Sequence, residues 1–149
     1  MTPQIRDIEP AVSAAQLKAA EHALGLQLPA AYRAFLLQHN GGQPVPDRFR
    51  LADGSGPESV AWFLAVHDRE DGLVSLAATY RPYLHVDLLP IASDPFGNFV
   101  CIGTQGGNEG KVYFWLHESE PSPGEALPHA GCKLVAASFA AFLNAFEPA

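Results

Sequence analysis

"SDPFGNFVCIGTQGGNEGKVYFWLH", residues 93–117, decides what kind of fold this chain can adopt. Asp94, Pro95 and Gly97 occupy positions i, i+1 and i+3 of a type I turn. A strand is predicted over 98–103 and another over 110–117, with "TQGGNE" between them, and the two read as an antiparallel hairpin. In the second strand Val112, Phe114 and Leu116 point one way, while Lys111, Tyr113, Trp115 and His117 point the other. The hairpin is therefore expected to have one core face and one partly wet face.

Toward the N-terminus, "LPAAYRAFLLQHNGG" (28–42) reads as a helix over 29–39 with both ends marked. Pro29 suits the first helical position, and Tyr32, Phe35, Leu36 and His39 form one stripe at i, i+3, i+4, i+7 spacing. Asn40 and Gly41 tolerate the left-handed conformation that commonly closes a helix, so "HNGG" is expected to be a helix stop and not an active site. Upstream, Ser13 and Gln16 make a capping box for a helix over 14–24 that Gly25 closes. The chain thus opens with a helical pair.

Between these regions a strand is expected at Phe49–Leu51, then a turn at "DGSGP" (53–57). "VAWFLAV" (60–66) reads as a strand buried on both faces. A helix over 72–81 would be capped by Asp71, striped by Leu73, Leu76, Ala77 and Tyr80, and limited by Pro82. Leu88–Ala92 reads as a short strand. Residues 118–130 should form an irregular acidic loop, after which Ser138 caps a last helix that turns Phe139, Phe142, Leu143 and Phe146 inward. Helices first, strands later, one closing helix and no internal repeat predict a single α+β domain over 1–149.

Bulk composition narrows the function. With 149 residues the chain can hide about 70% of its unfolded surface. A net charge of −7 argues against nucleic acid or an anionic membrane as direct partner. Residues 87–149 hold two basic side chains (Lys111, Lys133) and seven acidic ones, a half that suits a basic protein partner. "MTPQIRDIEP" shows no basic start followed by an apolar run, so no secretory signal is expected. The longest apolar run has seven residues, far below a membrane span. Two cysteines without CxxC spacing suit a reduced, cytoplasmic protein. The alanine-rich composition, with more arginine than lysine, points to a GC-rich bacterium.

Few stretches of the sequence point to chemistry. "GTQGGNEGK" (103–111) lacks the glycine at 105 that phosphate-binding and dinucleotide-binding patterns need, and Lys111 begins a strand where a P-loop would begin a helix. The six histidines show no paired metal-ligand spacing, so no zinc site is expected. "HDREDG" (67–72) sets three carboxylates around Arg69 without the spacing of a calcium loop. A Cys101 nucleophile with His117 as base is an alternative that neighbouring strands would permit. Its apolar surroundings raise a thiol pKa, so an inert core cysteine is expected. No catalytic residue, metal or cofactor is assigned.

The pieces "LGLQLPAAYRAFLLQHNGG" (24–42), "LLPIASDPFGNFVCIG" (88–103) and "GKVYFWLHE" (110–118), in this order, resemble the SUKH superfamily, the Smi/Knr-type cell-wall-regulator domain. The resemblance spans about residues 13–146. It implies helices packed on a largely antiparallel, curved sheet. It also implies a non-enzymatic protein-binding role: an immunity protein that neutralises a cognate toxin in bacteria, or a regulatory interaction hub of the fungal kind. A small hydrolase would rest only on Cys101 and His117. Many members carry an acidic residue after the "NFVCI"-type strand, where this chain has Gly103. That departure removes any role carried by an acid there.

The leading expectation is a cytoplasmic immunity protein against a toxin, a basic one such as a nuclease; the alternative is a regulatory module with no toxin partner. The expected partner-binding residues are Tyr113, Trp115 and His117 on the wet face, Glu118 and Glu120 at its end, and Asp94 nearby. Exposed aromatics ringed by acids are what an interface hot spot requires. The alternative is that Trp115 lies under the 118–130 loop or a helix and belongs to the core.

Overall fold

The computed structural model describes residues 1–7, 9–119 and 125–149. A short strand, β1 (Gln4–Arg6), precedes the first helix, α1 (Ala14–Leu24). The capping box forms as expected: Ser13 Oγ accepts from the Gln16 amide at 3.0 Å, and Gln16 Oε1 from the Ser13 amide at 2.8 Å. Gly25, at φ 71°, ends the helix by donating its amide to the carbonyls of Glu21 and His22. Helix α2 (Ala30–Gln38) follows and buries Tyr32, Phe35 and Leu36, with Pro29 one position before its first turn.

The "HNGG" corner ends α2 differently from the expectation. His39 is extended, and Asn40 is not left-handed; among the described residues only glycines have positive φ. Asn40 is buried instead, and its amide joins two distant segments. Nδ2 donates to the Pro10 and Val66 carbonyls at 3.0 and 3.1 Å, and Oδ1 accepts from the Val66 amide at 2.7 Å. Gly41, at φ 77°, carries the chain past Phe63 and Ala65 so closely that a Cβ would stand 2.8 Å from the Phe63 carbonyl oxygen. The corner is a clamp as well as a helix stop.

Strand β2 (Gln43–Val45) pairs antiparallel with β1. A small ribbon follows from β3 (Arg48–Phe49) and β4 (Glu58–Ser59). The apolar run 60–66 yields only β5 (Trp62–Phe63), and Trp62 stays 40% exposed. The reason is position: β5 is the first strand of its sheet. Helix α3 (Leu73–Tyr80) begins after Gly72, not through a cap by Asp71, whose exposed carboxylate instead approaches His67 at 3.5 Å. Then come β6 (Leu88–Ser93), β7 (Phe99–Gly103), β8 (Val112–Trp115), β9 (Cys132–Ala136) and α4 (Phe139–Asn144). Ser138 caps α4, its hydroxyl accepting from the Ala141 amide at 3.1 Å.

Strands β5 to β9 form one antiparallel sheet in sequence order. The β7–β8 hairpin has Phe99 opposite Trp115 and Cys101 opposite Tyr113. Both outer strands meet other backbone. Gly42 and Phe63 exchange hydrogen bonds of 3.1 and 2.8 Å beside β5, and the Ala52 amide donates to Leu134 of β9. A phenylalanine cluster packs α2 and α4 against one face, with Phe35–Phe63 at 4.9 Å, Phe49–Phe142 at 5.3 Å and Phe49–Phe114 at 6.0 Å between ring centroids. On the other face Tyr80 of α3 lies edge-on to Phe99 (4.8 Å) and Trp115 (5.8 Å).

The sheet is therefore covered on both sides, and the wet face expected for β8 does not exist. Tyr113 is 1% exposed and Trp115 4%. The chain folds as a single α+β domain.

The glycine corner makes a direct test. Gly41→Val puts a β-branched side chain at a positive φ against immovable backbone, and is expected to cost about 2–4 kcal/mol. A urea midpoint equal to that of the parent would show that this close passage is not needed.

Candidate functional site

The turn between β6 and β7 is built around one buried carboxylate. Asp94 Oδ1 accepts from the amides of Phe96 and Asn98 at 2.8 and 2.7 Å, and Oδ2 accepts from Asn98 Nδ2 at 2.8 Å. Asn98 passes the restraint on, its Oδ1 accepting from the His117 amide at 3.0 Å. Gly97, at φ 87°, completes the reversal beside the His117 ring. These bonds hold the backbone, and so fix the point from which the side chain at the tip projects.

That side chain is Phe96, 75% exposed. With Glu58, Leu116, His117 and Glu118 it borders an open depression of about 600 Å³. Burial pushes the Glu58 carboxyl above its usual range, and the negative charge of Asp94 adds to the shift. The arrangement is an apolar tip with an acidic surround. Asn98 and Ser119 complete its lining.

Of the residues expected to bind a partner, Asp94 is here as the buried scaffold of the turn, and His117 and Glu118 stand exposed beside it. Tyr113 and Trp115 lie beneath, in the core. Glu120 falls outside the described residues. The sequence reading missed Phe96, although a large apolar residue between Pro95 and Gly97 at a turn tip has nowhere to hide. It also missed Glu58, which arrives from the distant β3–β4 ribbon and carries no local signal.

The alternative chemistry finds no geometry. Cys101 is fully buried and burial pushes its thiol well up; Cys132 is pushed up to about 12. His117 lies four residues beyond Tyr113, the partner of Cys101, roughly 13 Å along the strand. Among the described residues no group of three His, Cys, Asp or Glu side chains could hold a metal ion.

The "TQGGNE" loop is fastened by Asp87, whose carboxylate accepts from Gln105 Nε2 at 2.7 Å and Asn108 Nδ2 at 2.9 Å. These hydrogen bonds, led by Asn108, hold the Asp87 carboxyl below its usual range. Asn108 in turn accepts from the Tyr113 hydroxyl at 2.8 Å. A Cβ at Gly103 would stand 1.8 Å from the Asn108 carbonyl oxygen. The loop therefore excludes an acidic side chain at 103.

The pattern of the SMI1 / KNR4 family (SUKH-1) matches residues 11–145. The chain belongs to this family. A SUKH-1 assignment accords with the helical pair, the antiparallel sheet and the turn just described. The chain is also similar to the SPbeta prophage-derived uncharacterized protein YokK of Bacillus subtilis (strain 168), 26% identical over 120 residues. The match covers 69% of this chain and 61% of YokK, so this SUKH-1 chain spans about three-fifths of that relative's length.

Two expectations follow from these groups. The native protein should leave both thiols unlabelled by an aromatic disulfide reagent until it unfolds; rapid labelling of Cys101 would contradict its burial. Asp87 has its pKa lowered by folding, so its stabilisation is complete above the ordinary value of 3.8 and is lost as pH falls through the folded value. Asp87→Asn should lower the melting temperature at neutral pH by about 3 °C, with the gap closing in acid. A gap that stays constant in acid would sink this account.

Proposed function

We propose that this SUKH-1 domain is an immunity protein: a non-catalytic binder that neutralises one cognate toxin in the cytoplasm, a basic toxin such as a nuclease. The observation that carries the reading is Phe96, an exposed aromatic on a turn that Asp94 and Asn98 hold rigid. A preorganised apolar tip loses little conformational entropy on docking, which is how a small surface reaches high affinity. Glu58 and Glu118 beside it, within a chain of net charge −7, would steer a basic partner toward the tip. Two free, buried thiols suit a reducing compartment. No described helix is long and apolar enough to cross a membrane.

Inhibition needs no chemistry in this scheme. A partner seated over the 94–98 turn is covered by the domain, and its active surface is masked by bulk and opposite charge.

The test starts with a toxin encoded beside the gene, co-expressed and purified with this chain. Phe96→Ala should weaken that complex by at least about 2 kcal/mol while leaving the melting temperature unchanged. Glu118→Lys should chiefly slow association, and the effect should shrink at high salt. Failure of such a toxin to bind at all would overturn the immunity reading. Unchanged affinity and association rate in both variants would move the binding face elsewhere.

A further inference from the structure

Trp62 borders a second concavity on the far side of β6 from the Phe96 depression. It encloses about 330 Å³ between the edge of the sheet and the start of α3. Trp62, Leu64 and Leu76 form its apolar wall, and Glu9, His67 and Asp71 its polar rim. We infer that this cleft receives a cationic side chain, an arginine or a lysine, from a protein partner.

Three observations favour that occupant. The first is the indole itself, 40% exposed on an edge strand, which offers an aromatic surface to a cation and to the methylenes that carry it. The second is the charge of the rim. Glu9 already accepts a guanidinium from this chain's own Arg69, which does not line the cleft, and also faces His67. Asp71 is differently placed: its side chain is 82% exposed, and His67 Nε2 at 3.5 Å is its neighbour. Asp68 and Glu70 stand exposed on the same turn, so the segment carries an excess of negative charge. An acidic occupant would be repelled, and a purely apolar one would desolvate Asp71 without pairing it.

The third observation is continuity. Trp62 pairs with Ser93, the residue immediately before Asp94. The cleft and the Phe96 tip therefore flank the same strand end, and one partner could reach both. The inference rests on the reading of this domain as a protein binder, and adds the chemistry of one contact.

The chain has two tryptophans, Trp62 and the buried Trp115, so two indole N–H signals in a nitrogen-15 correlation spectrum serve as probe and internal reference. The full chain is titrated with blocked Gly-Arg-Gly and Gly-Lys-Gly peptides, and with Gly-Leu-Gly and Gly-Glu-Gly. The Trp62 signal should move and saturate with the two cationic peptides while Trp115 stays fixed. In Asp71→Asn, the unmoved Trp115 signal would report an intact fold, and the arginine peptide should bind about tenfold more weakly.

A Trp62 signal that does not saturate overturns the inference. So does an equal response to the leucine or glutamate peptide, unaltered binding in Asp71→Asn, or a shift that follows protein concentration alone, which would mean a second copy occupies the cleft. The outcome is separate from the toxin experiment. Arginine binding without toxin binding removes only the immunity reading, and toxin binding without arginine binding removes only the cleft.

Discussion

The structure depends on the β7–β8 hairpin being dry on both sides. A sheet with one wet face needs a single layer of helices, whereas this one needs two. The phenylalanines of α2 and α4 supply one layer, and Tyr80 of α3 supplies part of the other. Removing an aromatic ring from such a core costs about 3–5 kcal/mol, a large share of what keeps a domain of this size folded. The remaining elements serve that enclosure. Asn40 ties the N-terminal segment to the chain at Val66, just beyond β5, and the short β1–β2 pair adjoins β5 through Gly42.

Local signals in the sequence were reliable where the interaction they imply is itself local. The Ser13–Gln16 box, Gly25, the Asp94 turn and the Ser138 cap each satisfy backbone groups within a few residues, and each is found as expected. The alternation in 111–117 misled because its polar members, Lys111 and His117, sit only at the ends of the strand. The residues between them are aromatic and follow whatever α3 does. Likewise "VAWFLAV" has the composition of a central strand, but sequence carries no record of strand order, and β5 proved to be an edge. Asn40 was read as a helix terminator because its partners, Pro10 and Val66, are about thirty residues away in either direction.

The candidate site shows the same division. Asp94, His117 and Glu118 could be placed near one another from the hairpin alone, since turn and strand end are joined by register. Glu58 could not. Gly103 is instructive in a different way: the missing acid there is explained by the close passage of Asn108, while Asp87, just before the Leu88 that pairs with Gly103, fixes the same loop from the neighbouring strand. A departure from a family pattern was legible as a difference, and only the geometry gave its cause.

The architecture of the 94–98 turn separates two duties that most surfaces mix. Asp94, Gly97 and Asn98 set the backbone and are answerable to the fold, whereas the exposed side chains of Phe96 and Glu118 project outward. Substitutions at the projecting positions therefore leave in place the hydrogen bonds that hold the turn. The outward-facing chemistry of the turn can thus vary while its backbone path stays the same. Evolvability here is a property of hydrogen-bond placement.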